Sequence, residues 1–190
     1  GAVNTLKYDA NGYVGFNTDY LGLKNSLDSA DISLNKQDVL ILGAGGAARA
    51  VAYLARKEGC NELIFLNRTL SNAERICSDF GGRALDYSMI DCLKSHYIVF
   101  QATKVGMHPA IDEILPLPDT VYAHFGAAVD LIYNPLETAF LKKSKCFGIK
   151  TLNGFKMLIE QGLESRRIWK WAGAFTLSAL ATQGVSKPDE

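Results

Sequence analysis

No uninterrupted apolar stretch in this chain approaches the roughly 20 residues that a membrane-spanning helix needs. Nor does a charged-then-apolar leader open it, so a spanning or secreted protein is not expected and cytoplasm is the default location. Charge of one sign is also missing. The 20 Lys and Arg balance the 20 Asp and Glu, leaving no basic field for nucleic acid or acidic lipid. Histidine and cysteine are scarce and scattered. His96, His108 and His124 have no ligand spacing, and Cys60, Cys77, Cys92 and Cys146 form no C-x-x-C pair. The cysteines read as small residues in or near the core of a reduced protein, and no metal is expected.

What is there is core material in a regular order. Hydrophobic residues make up 48% and charged residues 21% of the 190 positions, enough for one well-buried core. A turn at Asp9 to Gly12 separates two strand-like pieces, and Thr18 or Asp19 stands where a helix with Leu23 and Leu27 on one face would be capped. After a polar linker, short apolar strands alternate with helical patterns. Strands are expected at 39–43, 62–67, 83–85, 97–102, 127–132 and 148–150. Helices are expected at 46–58, 71–80, 88–94, 136–146 and 154–171. Such alternation predicts an α/β fold, a Rossmann-like doubly wound parallel sheet with helices on both faces. The uncharged, alanine-rich run 172–182 reads as a closing helix and the last residues as a frayed tail.

The strongest local signal is Val39 to Ala48. Four apolar residues run into Gly43-Ala44-Gly45-Gly46-Ala47-Ala48, a G-x-G-x-x-A turn with a helical pattern directly behind it. Gly43 permits the tight turn, Gly45 lets backbone approach a pyrophosphate, and the helix N-terminus offers free N–H groups and partial positive charge. A purely structural strand-to-helix turn is the competing reading. At the tip of the next strand, where an NAD site carries an acidic residue for the ribose, this chain has Asn67-Arg68-Thr69. No carboxylate repels a 2′-phosphate there, and Arg68 can clamp one, with Thr69 and Ser71 as hydroxyl donors. NADP is therefore expected, with NAD an allowed alternative. The competing reading makes Arg68 a solvated loop residue and Thr69 a helix cap.

Separated stretches then fall in the order of one family. They are Gly1 to Thr5, Gly15-Phe16-Asn17-Thr18-Asp19, Gly43 to Ala48, Asn67-Arg68-Thr69, Ala102 to Met107, Asp130 to Pro135, and Asn153 to Gln161. Together they resemble the shikimate dehydrogenase family. The resemblance implies a two-domain, NADPH-dependent enzyme of aromatic amino acid biosynthesis that reversibly reduces 3-dehydroshikimate to shikimate. It implies Asp19 as the catalytic aspartate, and Asn4, Gln161 and Tyr133 as substrate-side residues. Gly43, Ala44, Gly45, Gly46 and Ala47 would hold the diphosphate, and Asn67, Arg68 and Thr69 the adenosine 2′-phosphate. Thr103, Leu131, Gly154 and Met157 would surround the nicotinamide. A carboxylate and amides of this kind can orient ring hydroxyls while a proton reaches the developing alkoxide.

Departures from the family pattern carry expectations of their own. Gln101 replaces the usual Asn and Lys104 the usual Pro, which frees φ and restores an N–H beside the nicotinamide. Asn72 stands where many NADP-specific members have a second arginine. The family's lysine partner of the aspartate lies upstream of Gly1. Residues 1–20 thus read as a remnant of the N-terminal catalytic domain, 21–171 as the NADP-binding domain and 172–190 as closing helix and tail. Little or no turnover by this polypeptide alone is the expectation, with cofactor binding retained. Self-association or poor order at both ends is expected from apolar surface at Val3, Leu6, Phe175 and Leu180. The competing functions are a non-catalytic nucleotide-binding or regulatory module and a dehydrogenase of quinate.

Overall fold

The computed structural model describes residues 3–93 and 96–170. The chain first reverses at Ala10-Asn11, where the Asp9 carboxylate accepts from the Asn11 N–H at 2.8 Å. This joins β1 (Thr5–Asp9) and β2 (Gly12–Phe16) as an antiparallel hairpin with Thr5 opposite Phe16. Helix α1 (Asp19–Asp28) follows and buries Leu23 and Leu27, as its apolar spacing predicts. The linker behind it is not wholly polar in effect, because Ile32 and Leu34 are also buried.

From there strand and helix alternate. β3 (Asp38–Leu42), α2 (Gly46–Lys57), β4 (Leu63–Leu66), α3 (Leu70–Phe80) and β5 (Arg83–Leu85) form the first half. A 3₁₀ turn at Tyr87–Cys92 leads to β6 (Tyr97–Gln101), a short α4 (Asp119–Tyr122), and β7 (Phe125–Asp130). Then come α5 (Ala139–Cys146), β8 (Lys150–Leu152) and α6 (Phe155–Trp169). β3 to β8 build one six-stranded sheet in the order β5-β4-β3-β6-β7-β8, with every neighbouring pair parallel. The order reverses direction between β3 and β6, which makes the expected doubly wound Rossmann-type sheet.

Side-chain alternation along the strands sorts the core into two layers. Val39, Ile41, Leu63, Phe65, Phe100 and Val129 face α1, α2 and α3. Leu40, Leu42, Ile64, Leu66, Val99 and Ala128 face α4 and α5 through Val121, Tyr122, Phe140 and Leu141. Neither strand face is left to water, which is why the central strands read as continuous apolar runs.

Three local expectations shift. α5 starts at Ala139 rather than 136, because the Thr138 hydroxyl accepts from Leu141 N–H and sets the cap. β8 lies two residues later than 148–150, since Gly148, at φ +71°, belongs to the turn that closes α5. The Pro-containing loop before β7 holds α4, whose four residues are too few to show a period. The predicted closing helix and tail, with Phe175 and Leu180, lie outside the described residues.

Candidate functional site

Two groups of predicted residues converge at the C-terminal ends of the strands. The first surrounds a cleft of about 690 Å³, within the range usual for small-molecule sites. Gly43 to Ala47 form one wall, Asn67 lies at the β4 side, and Thr103, Leu131 and Tyr133 line the opposite side. Sequence reasoning had not placed Met107, His108, Ile132 or Asn134 in a site, and they line it as well. Among the described residues, no Asp or Glu lines this cleft.

The glycine turn is shaped by contact on one side and by space on the other. Gly43 has φ +113°, and a Cβ there would stand 2.9 Å from the Thr103 methyl and 3.1 Å from the Ala102 carbonyl oxygen. Any larger residue would be strained in backbone and in packing. At Gly45 and Gly46 a Cβ would meet no atom of the described residues within 4 Å. Their missing side chains leave open room at the start of α2, where Gly45 is the N-cap and no side chain caps the helix. Such a cradle of uncapped N–H groups fits a diphosphate.

Around β4, the Asn67 side chain donates to the Thr69 carbonyl at 2.8 Å and closes the turn. Thr69 occupies the N-cap position of α3 but makes no side-chain capping bond, so its hydroxyl is not used in the way the competing reading required. Arg68 is exposed and makes no ion pair among the described residues. Burial raises the pKa of the nearby Tyr87 phenol, and the Arg68 charge only partly opposes that rise. Neither Arg68 nor Thr69 lines the cleft itself; both sit on the loop beyond Asn67.

Gly154 and Met157 also do not line the cleft. A Cβ at Gly154 would fall 2.2 Å from the Leu131 carbonyl oxygen, and its N–H donates to the Ile132 carbonyl at 3.0 Å. Gly154 thus seats the start of α6 directly against the cleft wall. Met157 packs against the core one turn on.

That seating carries the second group. Gly22 in α1 faces α6 so closely that a Cβ would meet Met157 O at 2.7 Å and Gln161 N at 2.8 Å. The tight crossing brings Asp19, Asn4 and Gln161 together. The Asn4 amide donates to Asp19 at 2.8 Å and lies 3.4 Å from the Gln161 side-chain oxygen. Its own oxygen accepts from Thr18 N–H at 2.9 Å, from the Thr18 hydroxyl at 3.3 Å, and from the Thr5 hydroxyl at 3.1 Å. Thr5, Thr18 and Ser165, which sequence reasoning missed as a set, form the back of this cluster, buried Thr5 and Thr18 meeting half-buried Ser165 through hydroxyl contacts of 2.8 and 3.2 Å. Thr18 is at the N-cap position of α1, but its hydroxyl serves Asn4 and Ser165 instead of capping. No lysine or arginine pairs with Asp19 among the described residues.

The loop from Leu131 to Thr138 is anchored by Asp130, which is fully buried at the end of β7. Its carboxylate accepts from Ile132 N–H at 2.9 Å and from the Thr138 hydroxyl at 2.5 Å. Burial outweighs these bonds and pushes its pKa up to about 6. Among the described residues, no group of three or more His, Cys, Asp or Glu side chains could hold a metal, and no helix is long and apolar enough to cross a membrane.

Sheet order and glycine turn together define a Rossmann-type α/β protein, the class that carries dinucleotides at this position. The sequence profile of the Shikimate / quinate 5-dehydrogenase family matches residues 25–112. A Carboxydothermus hydrogenoformans protein named shikimate dehydrogenase (NADP(+)) is 39% identical over 179 residues, covering 91% of this chain and 63% of its own. The shikimate 5-dehydrogenase of Thermus thermophilus, solved in complex with NADP(H) and shikimate, is 38% identical. It superposes with a TM-score of 0.76 over 89% of this chain and 62% of that one. The shikimate dehydrogenase of Aquifex aeolicus, 32% identical, matches 97% of this chain and 67% of its own with a TM-score of 0.77. The chain belongs to the shikimate dehydrogenase family. It spans 62% to 64% of the length of the curated relatives compared with it.

Proposed function

We propose that this chain is the NADP-binding part of a shikimate dehydrogenase, the enzyme that interconverts 3-dehydroshikimate and shikimate. The observation that carries the reading is the cleft: an open glycine cradle at a helix N-terminus and, among the described residues, no carboxylate in the lining and no ion pair on Arg68 at the adenosine end. Gly43, Ala44, Gly45, Gly46 and Ala47 hold the diphosphate through backbone N–H groups. Arg68, with Asn67 and Thr69 shaping its loop, takes the 2′-phosphate, and NAD binds the same cleft without that contact. Thr103 and Leu131 flank the nicotinamide, while Gly154 and Met157 support them from α6. When bound, the cofactor supplies the hydride.

On the substrate side, Asp19, Asn4 and Gln161 present a carboxylate and two amides to the hydroxyls of a polyhydroxylated ring, with Tyr133 at the cleft edge. Residues 1–20 then belong with the substrate-binding part, and the sheet and its helices through α6 with the cofactor part. Little or no turnover by the polypeptide alone is expected, because no lysine or arginine pairs with Asp19 among the described residues. Lys24 is tied to Asp28 and Glu58 and is not available to Asp19, and loss of a general acid costs roughly 10² to 10⁴ in rate.

Calorimetric titration tests the reading. NADP+ should bind this chain more tightly than NAD+, and Arg68→Gln should bring the two together. Equal affinity in the unmodified chain would refute the role of Arg68, and no binding of either would refute the cofactor site. Ordinary turnover with shikimate would refute the predicted inactivity. Because the matched family is described as acting on shikimate or quinate, both alcohols belong in that assay.

A further inference from the structure

Position 104 is held by its backbone and left open at its side chain. Buried Gln101 accepts from the Thr103 N–H at 2.6 Å and from the Thr103 hydroxyl at 2.8 Å, and donates to the Val105 carbonyl at 2.8 Å. Val105 N–H donates in turn to the Thr103 hydroxyl at 3.1 Å, and Met107 N–H to the Lys104 carbonyl at 3.1 Å. The residues on either side of Lys104 are therefore fixed by one fully buried amide. The Lys104 side chain is exposed, lines the cleft, and has no hydrogen bond or ion pair among the described residues.

Its place relative to the glycine turn is equally constrained. Thr103, the preceding residue, is the one that a Cβ at Gly43 would strike at 2.9 Å, and Ala102 N–H donates to the Leu42 carbonyl at 2.9 Å. Lys104 thus leaves the backbone one residue from the tightest contact of the glycine turn, with a flexible four-carbon stem lining a cleft that holds no carboxylate among the described residues. A cation held there without an internal partner is placed for an anionic ligand.

Resting on the cofactor reading above, we propose that the Lys104 ammonium pairs with the diphosphate of the bound dinucleotide. It adds a side-chain charge to a cradle otherwise made of backbone N–H groups and the α2 dipole. Gln101 is the positioning residue that holds the 103–105 backbone so that this reach is maintained. A charge-assisted contact of this kind in a half-open cleft is worth roughly three- to tenfold in Kd and weakens with salt.

The test is titration of this chain and of Lys104→Gln, Lys104→Arg and Arg68→Gln variants with NADP+, ADP and adenosine 2′-monophosphate at low and high salt. Lys104→Gln should weaken NADP+ and ADP several-fold at low salt and leave adenosine 2′-monophosphate unchanged. Lys104→Arg should stay near the unmodified chain, and Arg68→Gln should weaken the 2′-monophosphate instead. Unchanged NADP+ and ADP binding in Lys104→Gln would overturn the assignment, as would a loss in Lys104→Arg equal to that in Lys104→Gln. Failure of the unmodified chain to bind NADP+ would instead overturn the cofactor reading itself.

Discussion

The Asn4 amide donates to the Asp19 carboxylate at 2.8 Å, joining two residues 15 positions apart from opposite sides of the hairpin. The Asn4 oxygen is occupied as well, accepting from Thr5 and from both donors of Thr18. Asn4→Ala would leave the N–H of buried Thr18 without its partner, at a cost of about 1–3 kcal/mol. Urea unfolding should show that loss at an unchanged m-value. An unaltered midpoint would mean that water replaces the amide without penalty.

Gly22 sets the distance between α1 and α6. A methyl at this position would sit 2.7 Å from Met157 O and 2.8 Å from Gln161 N, backbone atoms that cannot turn aside. Gly22→Ala, which in a free helix would be favourable by ~1 kcal/mol, should here destabilise by about 1–3 kcal/mol through overpacking. Thermal melting decides the sign, and a stabilised variant would show that the two helices slide apart freely.

Gly45 should behave in the opposite way. No atom of the described residues lies within 4 Å of a Cβ built there, and its backbone, at φ −95°, is open to any residue. Gly45→Ala should therefore keep the melting temperature and yet weaken NADP+ by roughly tenfold or more, since the methyl occupies the space assigned to phosphate. Undiminished affinity in this variant would separate the turn from the cofactor.

Asp130 makes stability depend on pH. Its folded-state pKa of about 6 lies above the ordinary 3.8, so the folded chain holds this proton more tightly than the unfolded one. The resulting stability is fully present below about pH 4 and is lost as pH rises through 6, a difference of ~3 kcal/mol. Asp86 and Glu137, both lowered by their hydrogen bonds to Ser88 and Lys145, act in the other direction. Asp130→Asn removes only the first effect. Between acid and neutral pH its unfolding free energy should therefore decline less, or rise more, than that of the parent chain. Parallel pH curves for the two proteins would contradict the assignment.

The hairpin displays Tyr8 and Tyr13, 71% and 77% exposed and in edge contact at 5.1 Å, beside Val3 and Leu6. An apolar patch of this kind favours association. Sedimentation should show self-association that a Tyr8→Ser/Tyr13→Ser double variant reduces, and a monomer at all concentrations would count against it.

Much of this was legible along the chain. Alternating apolar runs required a covered parallel sheet, and the glycine turn had to follow β3, because periodicity and φ are local properties of consecutive residues. Asn4, Asp19 and Gln161 were reachable by family resemblance, but not Thr5, Thr18 and Ser165 behind them, whose hydroxyls look like ordinary surface or cap residues until the helices cross. Gly22 and Gly154 had no sequence signal for what they do. Their role is close approach, which exists only between segments that are distant in the chain.

The same division holds for the cleft. Sequence alone determined that a phosphate-type turn stands at Gly43 to Ala48 and that Arg68 replaces an acid at the next strand tip. Tertiary structure decided that Lys104 stands beside that turn without a partner among the described residues, that Gln101 fixes the backbone on either side of it, and that burial pushes the pKa of Asp130 up to about 6. Charge, propensity and turn chemistry are carried residue by residue. Desolvation and contact across the sheet arise only when the strands are placed side by side.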